Sequence, residues 1–253
     1  MPGPANQHER DANAPKSRSA CFSCDAYLFD IDGTLLNSRD GVHYHAFHHA
    51  VRDIYGIDSA IDGVPVHGNT DIGILRAVAK RAGLTDAHFE AALPQVLQHM
   101  CDEVSLKHDE LRPELCPAVR DLLAALRHSG KLMGIVSGNL EAIGWLKLRA
   151  AGIADYFSFG SFSGHIATGN GDGFVTTELR TEIFRTGIRE ARTRLGDCAS
   201  VCIVGDTPSD IAAARDLQIP IIAVATGIFT LDQLREHGPD ACFSCCTDLL
   251  GYF

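Results

Sequence analysis

Phe29-Asp30-Ile31-Asp32-Gly33-Thr34-Leu35 follows the apolar run Ala26-Tyr27-Leu28 and turns abruptly polar. A short apolar run ended by such a break reads as a buried strand, which puts Asp30 at its carboxyl end. Open α/β sheets carry their ligand sites at that end. Side chains alternate along a strand, so Asp30 and Asp32 leave it on the same side and can share one chemical event. Two bare carboxylates about 4 Å apart repel by roughly 4 kcal/mol at an effective dielectric of 20, so the pair demands a cation, or a proton on one member. Gly33 lets the backbone turn sharply after the strand. A calcium loop, another home of Asp-x-Asp-Gly, is excluded by spacing: Leu35 stands where that loop needs its Gly.

The 253 residues, 45% of them apolar or aromatic, suffice for one large core or a core with a small second domain. A net charge of -10 argues against nucleic acid or an anionic membrane surface as the main partner, and an anionic substrate would need a local cation. No run reaches the length of a membrane span, and residues 1–24 lack the apolar core of a signal peptide. With Pro2, Gly3, Pro4 and Pro15, those residues read as a disordered extension of a cytoplasmic protein.

Most of the nine cysteines stand in apolar contexts, as Cys202 does between Val201 and Ile203, and read as small buried hydrophobes in a reducing compartment. One pattern resists that reading. Cys21-Phe22-Ser23-Cys24 is echoed by Cys242-Phe243-Ser244-Cys245, with Cys246 adjoining, and four such thiolates could hold zinc if the two ends meet.

After the Asp30 strand the periodicity predicts helices at 40–55, 71–82 and 86–104, an all-helical insertion over residues 39–109 of a size that suits a cap. His45 and His49 in the first helix have the i, i+4 spacing of a metal pair, but no acidic neighbour completes a set; His43 and His45 are candidates for substrate contact. The turn Gly68-Asn69-Thr70-Asp71 reads as a helix cap whose free amides can also touch an anion.

From Pro113 strand and helix alternate: a helix at 117–129, a strand at 132–136 ended by Ser137-Gly138-Asn139, and a helix at 140–151. A strand around 157–159 and a Gly-rich loop at 160–173 follow, then a helix at 177–195. A strand at 201–204, Gly205-Asp206, a helix to Leu217 and a strand at 219–225 complete the series. This order predicts a doubly wound parallel α/β sheet covered on both faces, built from residues 25–38 and 110–253. The run Gly169-Asn170-Gly171-Asp172-Gly173 is not a dinucleotide fingerprint, since it does not stand directly between a strand and a helix start.

Three strand ends thus carry polar groups: Asp30 and Asp32; Ser137, Gly138 and Asn139; and Asp206 with Asp210 in Gly205-Asp206-Thr207-Pro208-Ser209-Asp210. In a doubly wound sheet they converge on one crevice. In this order they resemble the haloacid dehalogenase superfamily, in particular phosphoglycolate-phosphatase-like members with a helical cap inserted after the first strand. The resemblance covers about residues 25 to 245.

The resemblance implies a Rossmann-like core and a Mg²⁺-dependent phosphatase acting on a small-molecule phosphate ester, as a monomer or homodimer. Asp30 would attack phosphorus and form an aspartyl-phosphate. Asp32, held protonated, would donate to the departing alcohol and then activate water. Mg²⁺ would be held by the Asp30 carboxylate, the Asp32 carbonyl and Asp206, with Asp210 bound directly or through water. Ser137, Thr34 and the Gly138 and Asn139 amides would hold the phosphoryl oxygens. The family's usual lysine before the last motif is missing, since residues 160–200 contain no Lys; Arg180 is the substitute and Lys147 the fallback. A phosphomutase would use the same aspartates, and a non-catalytic or zinc-organised binding protein is the reading from a different class.

Overall fold

The computed structural model describes residues 21–58, 61, 63–167 and 174–253. Its organising strand is β1 (Ala26–Phe29), buried along its whole length. Tyr27 and Phe29 point to one face of the sheet and Ala26 and Leu28 to the other, as a period of two requires. Strands β4 (Leu132–Leu140) and β7 (Val201–Gly205) flank β1, both parallel to it, with Phe29 opposite Ile135 and Val204. A strand buried on both faces and both edges has no room for polar side chains until it ends, at Asp30.

Outward from β4 lie β5 (Gly160–Ala167) and β6 (Phe174–Thr177); outward from β7 lie β8 (Ile221–Val224) and β9 (Ala241–Phe243). Six strands run parallel in the order β5-β4-β1-β7-β8-β9, and β6 closes one edge antiparallel to β5. A further pair, β2 (Leu36–Ser38) and β3 (Pro113–Leu115), is antiparallel and stands apart from the main sheet.

One face is covered by α4 (Val119–His128), α5 (Glu141–Ala150) and α9 (Cys246–Leu250), the other by α6 (Arg180–Leu195), α7 (Pro208–Asp216) and α8 (Leu231–Glu236). The parallel Rossmann-like α/β architecture is as expected. Three helices of the inserted region, α1 (Val42–Tyr55), α2 (Asp71–Arg81) and α3 (Asp86–Leu106), bury a hydrophobic cluster of their own that includes Phe47, Leu75, Phe89 and Met100. Leu140 and Ile143 join it from the sheet side. No helix among the described residues is long and apolar enough to cross a membrane.

Three local expectations are corrected. The strand expected at 157–159 lies at Gly160–Ala167, and much of the expected Gly-rich loop is that strand; residues 168–173, and residues 1–20 of the extension expected at 1–24, lie outside the described residues, whereas residues 21–24 are packed, with Cys21 and Cys24 buried in the core. Gly160 is required there by packing, since a Cβ on it would stand 2.4 Å from the Phe162 ring. Second, β4 does not stop at Val136 but runs to Leu140 through a register shift after Ser137, which re-aims Ser137, Gly138 and Asn139 without ending the strand. Third, the inserted region is bracketed by β2 and β3, strands of three residues each that are too short to leave a periodic signal.

The two cysteine-bearing stretches do meet, but through aromatic packing. Phe22 stacks on Tyr252 at 4.2 Å and meets Phe243 and Phe253 edge-on. Among the described residues no group of cysteine or histidine side chains converges as metal ligands. Cys24 hydrogen-bonds Cys202 instead, and His49 Nδ1 lies 2.6 Å from Glu103 Oε1.

Candidate active site

The carboxyl ends of β1, β4, β7 and β8 open into a cavity of about 290 Å³, roofed by α1, α2 and the turn before α2. Asp30, Asp206 and Asp210 each offer a carboxylate oxygen, all within 4.8 Å of one another, and all three side chains are buried. Each is placed by its backbone. Asp30 follows the last residue of β1, and Asp206 follows Gly205 at the end of β7. Asp210 sits in the first turn of α7, where its side chain accepts from the Thr207 amide at 3.0 Å while Thr207 Oγ1 caps the Asp210 amide. Pro208 starts that helix at no cost in hydrogen bonds.

Two glycines let the chain crowd Asp206. A Cβ on Gly33, whose φ is +85°, would lie 2.2 Å from Asp206 Oδ2, and one on Gly227 1.9 Å from the same atom. Gly227 went unnoticed in the sequence, although the polar break Thr226-Gly227 after β8 has the same form as the other strand ends. Thr226 Oγ1 also donates to the Gly33 carbonyl at 2.5 Å, tying the β8 loop to the β1 loop.

Arg180, at the first position of α6, lies among the three aspartates. Its Nη2 is 2.6 Å from Asp30 Oδ2, and its Nε bonds Asp210 Oδ1. Burial opposes the guanidinium charge, but Asp210 and Asp30 outweigh it and raise its pKa. The converse does not hold for the carboxylates. Burial pushes Asp30 up to about 6, with Asp210 and Asp32 adding to it and Arg180 opposing. Burial likewise pushes Asp206 well above the usual carboxylate range, helped by Asp30 and Asp210 and opposed by the Thr34 hydroxyl. One arginine does not neutralise three buried carboxylates.

Asp32 stands in a different environment. Its side chain is 43% exposed to the cavity, and Lys147 Nζ holds both oxygens at 2.8 and 2.9 Å. Asn139 Nδ2 adds a hydrogen bond at 2.7 Å. Burial works to raise this carboxyl, but Lys147 and Asn139 prevail and its pKa is lowered. Lys147 and Asn139 thus favour the ionised form of Asp32, where the resemblance implied a protonated one. Lys147, the fallback cation in the sequence, belongs to Asp32, whereas Arg180 belongs to Asp30 and Asp210.

Ser137 and Asn139 are buried at the end of β4, with Asn139 Nδ2 bonding Ser137 Oγ at 2.9 Å. Gly138 lies under the turn before α2, and a Cβ on it would stand 2.4 Å from the Asn69 carbonyl oxygen. Thr34 is fully buried and donates to Asp206 Oδ1 at 2.9 Å. Its hydroxyl proton is thus directed at a carboxylate, beside the metal-ligand candidates. His43 reaches the cavity beside Asp71, its Nε2 3.1 Å from Asp71 Oδ2. Asp71 accepts the Leu140 amide at 2.7 Å, and Arg76 of α2 bonds Glu178, just before α6, at 2.7 Å. The roof is fastened to the sheet by these contacts.

Comparison with known proteins agrees with this geometry. A family model described as haloacid dehalogenase-like hydrolase matches residues 24–218. Among curated proteins, a phosphoglycolate phosphatase of Mesorhizobium japonicum is 27% identical over 86% of this chain and 89% of its own. Another, from Synechococcus elongatus, is 26% identical over 89% of this chain and 95% of its own. Among solved structures, CbbY from Rhodobacter sphaeroides in complex with phosphate superposes with a TM-score of 0.65 at 16% identity, covering 89% of this chain and 96% of that one.

Proposed function

Given that the chain belongs to the haloacid dehalogenase-like hydrolases, we propose that it is a phosphatase that hydrolyses a small-molecule phosphomonoester through Asp30, with Mg²⁺ as its cofactor. The observation that carries this reading is the convergence of Asp30, Asp206 and Asp210 at three strand and helix ends with a single arginine among them. The curated relatives named as phosphoglycolate phosphatases support the same reaction class.

The donor set fits a hard divalent cation. It is all oxygen and buried, and burial, together with the repulsion among the carboxylates, pushes Asp30 and Asp206 up. Asp30, Asp206 and the Asp32 carbonyl would hold the ion, with Asp210 direct or through water. When bound, it would offset the repulsion between the Asp30 carboxylate and a phosphate dianion and stabilise charge on the transferring oxygens.

The residues then divide the work. Ionised Asp30 attacks phosphorus, forming an acyl phosphate as the ester bond to the alcohol breaks. Arg180, Ser137 and the Gly138 and Asn139 amides offer fixed donors to the phosphoryl oxygens. Asp32 gives a proton to the departing alcohol oxygen and takes one from the water that cleaves the acyl phosphate. Since Lys147 favours ionised Asp32, that first proton is taken up as the substrate binds: a phosphate dianion beside Asp32 raises its pKa so that it takes a proton from solvent, or a phosphate monoanion supplies the proton directly. Helices α1–α3 act as the cap that closes over the alcohol. The active protein is a monomer or homodimer in the cytoplasm.

Release of inorganic phosphate from p-nitrophenyl phosphate tests the reading, with Mg²⁺ and with chelator, on the wild type and Asp30→Asn. Metal-dependent release abolished by the substitution is expected. Folded wild type that releases none would overturn the assignment.

A further inference from the structure

We propose that the alcohol released by this enzyme carries no anionic group, so that the phosphomonoester of a neutral alcohol, not a carboxylate-bearing one such as 2-phosphoglycolate, is its class of substrate. This rests on the phosphatase reading above and concerns the half of the cavity that the phosphoryl group does not occupy.

The argument is one of charge. Among the described residues lining the cavity, Arg180 and Lys147 are the lysines and arginines, and both belong to its floor. Arg180 is paired with Asp30 and Asp210. Lys147 has three ammonium protons and three acceptors: Asp32 Oδ1, Asp32 Oδ2 and, at 2.9 Å, Asn139 Oδ1. A substrate carboxylate could recruit Lys147 only by stripping it from Asp32, the group that must handle the leaving oxygen.

Among the described residues the roof offers no lysine or arginine in exchange. Its apolar part is Tyr44, Phe47, Ile61, Val66 and Ile74. Its charged part is acidic: Asp40 accepts the Val42 and Arg112 backbone amides, and Asp71 accepts the Leu140 amide, so both carboxylates are satisfied by neutral donors. The His43 imidazole already faces Asp71, and His67 lies exposed at the rim. A carboxylate or second phosphate placed here meets like charge in a confined, partly desolvated space with no fixed cation to answer it. A neutral alcohol meets apolar walls and hydrogen-bonding groups instead. Discrimination of this kind comes from the repulsive element as much as from the attractive one.

The test compares 2-phosphoglycolate with 2-hydroxyethyl phosphate, a counterpart of similar size whose alcohol is neutral, on the Mg²⁺-loaded enzyme at pH 8. A kcat/KM at least ten-fold higher for 2-hydroxyethyl phosphate is expected; equal or reversed values overturn the proposal. Tyr44→Arg, which places a cation on the roof, should move the ratio at least ten-fold toward 2-phosphoglycolate, and no movement also counts against it. Turnover of p-nitrophenyl phosphate in parallel reads the phosphatase assignment separately. Should that fail, calorimetric binding of both esters to Asp30→Asn with Mg²⁺ still decides the preference, and tighter binding of 2-phosphoglycolate overturns it.

Discussion

Arg180 reaches across the site to Asp30, Nη2 to Oδ2 at 2.6 Å, while its Nε is bonded to Asp210, so one guanidinium spans the carboxylates of two different sheet connections. An ammonium has no such fork and serves as a point charge. Arg180→Lys should therefore retain part of the activity, and Arg180→Met should lose at least a hundred-fold in kcat. Removing the partner of buried carboxylates typically costs about 3–5 kcal/mol, so Arg180→Met should also unfold at lower denaturant when metal-free, in an equilibrium urea titration.

Asp30 gives a pH signature with a definite sign. Its folded pKa, about 6, lies above its ordinary 3.8, so the native state holds the proton more tightly than the unfolded chain does. Stability is then lost as pH rises through that window, by about 3 kcal/mol once both are passed. In chelator at pH 7.5, Asp30→Asn should melt several degrees above wild type, and the gap should close below pH 4. Mg²⁺ should raise the wild-type melting temperature more than that of the variant.

Lys147 acts on the opposite kind of carboxyl. Asp32 is held below its ordinary value, so the pair contributes stability at neutral pH that is lost as pH falls through the folded pKa. Lys147→Met should be less stable than wild type at pH 7, and the two should converge as pH falls below the ordinary carboxylate range. Because Asp32 is open to the cavity, the effect on turnover should exceed the effect on stability. A kcat unchanged by the substitution would remove Lys147 from any part in positioning Asp32.

Gly138 tests the contact between the roof and the floor. A Cβ there would meet the Asn69 carbonyl oxygen at 2.4 Å and the Thr70 Cα at 3.0 Å, and both are backbone. Gly138→Ala should displace the turn before α2 at an overpacking cost of about 1–3 kcal/mol, visible in thermal unfolding, and should raise KM for p-nitrophenyl phosphate. Gly83→Ala, where nothing lies within 4 Å but φ is +80°, controls for the loss of a glycine by itself.

The chain's alternation of apolar runs and polar breaks was enough to read the parallel sheet and to bring Asp30, Ser137 and Asp206 to one edge of it. The reason is local: a strand buried on both faces tolerates polar side chains only where it ends, so Asp30 after Phe29 and Asp206 after Gly205 announce themselves in one dimension. What the residues do to one another was not legible in that way. That Lys147 serves Asp32 and Arg180 serves Asp30 depends on distances across 115 and 150 positions of chain, set by how α5 and α6 dock on opposite faces of the sheet. The same packing commits the Thr34 hydroxyl to Asp206 and fills the space beside Gly160 with the Phe162 ring. The sequence names the acids and the cations, and only the tertiary structure pairs them, because burial and proximity decide which carboxyl is pushed up and which is held down.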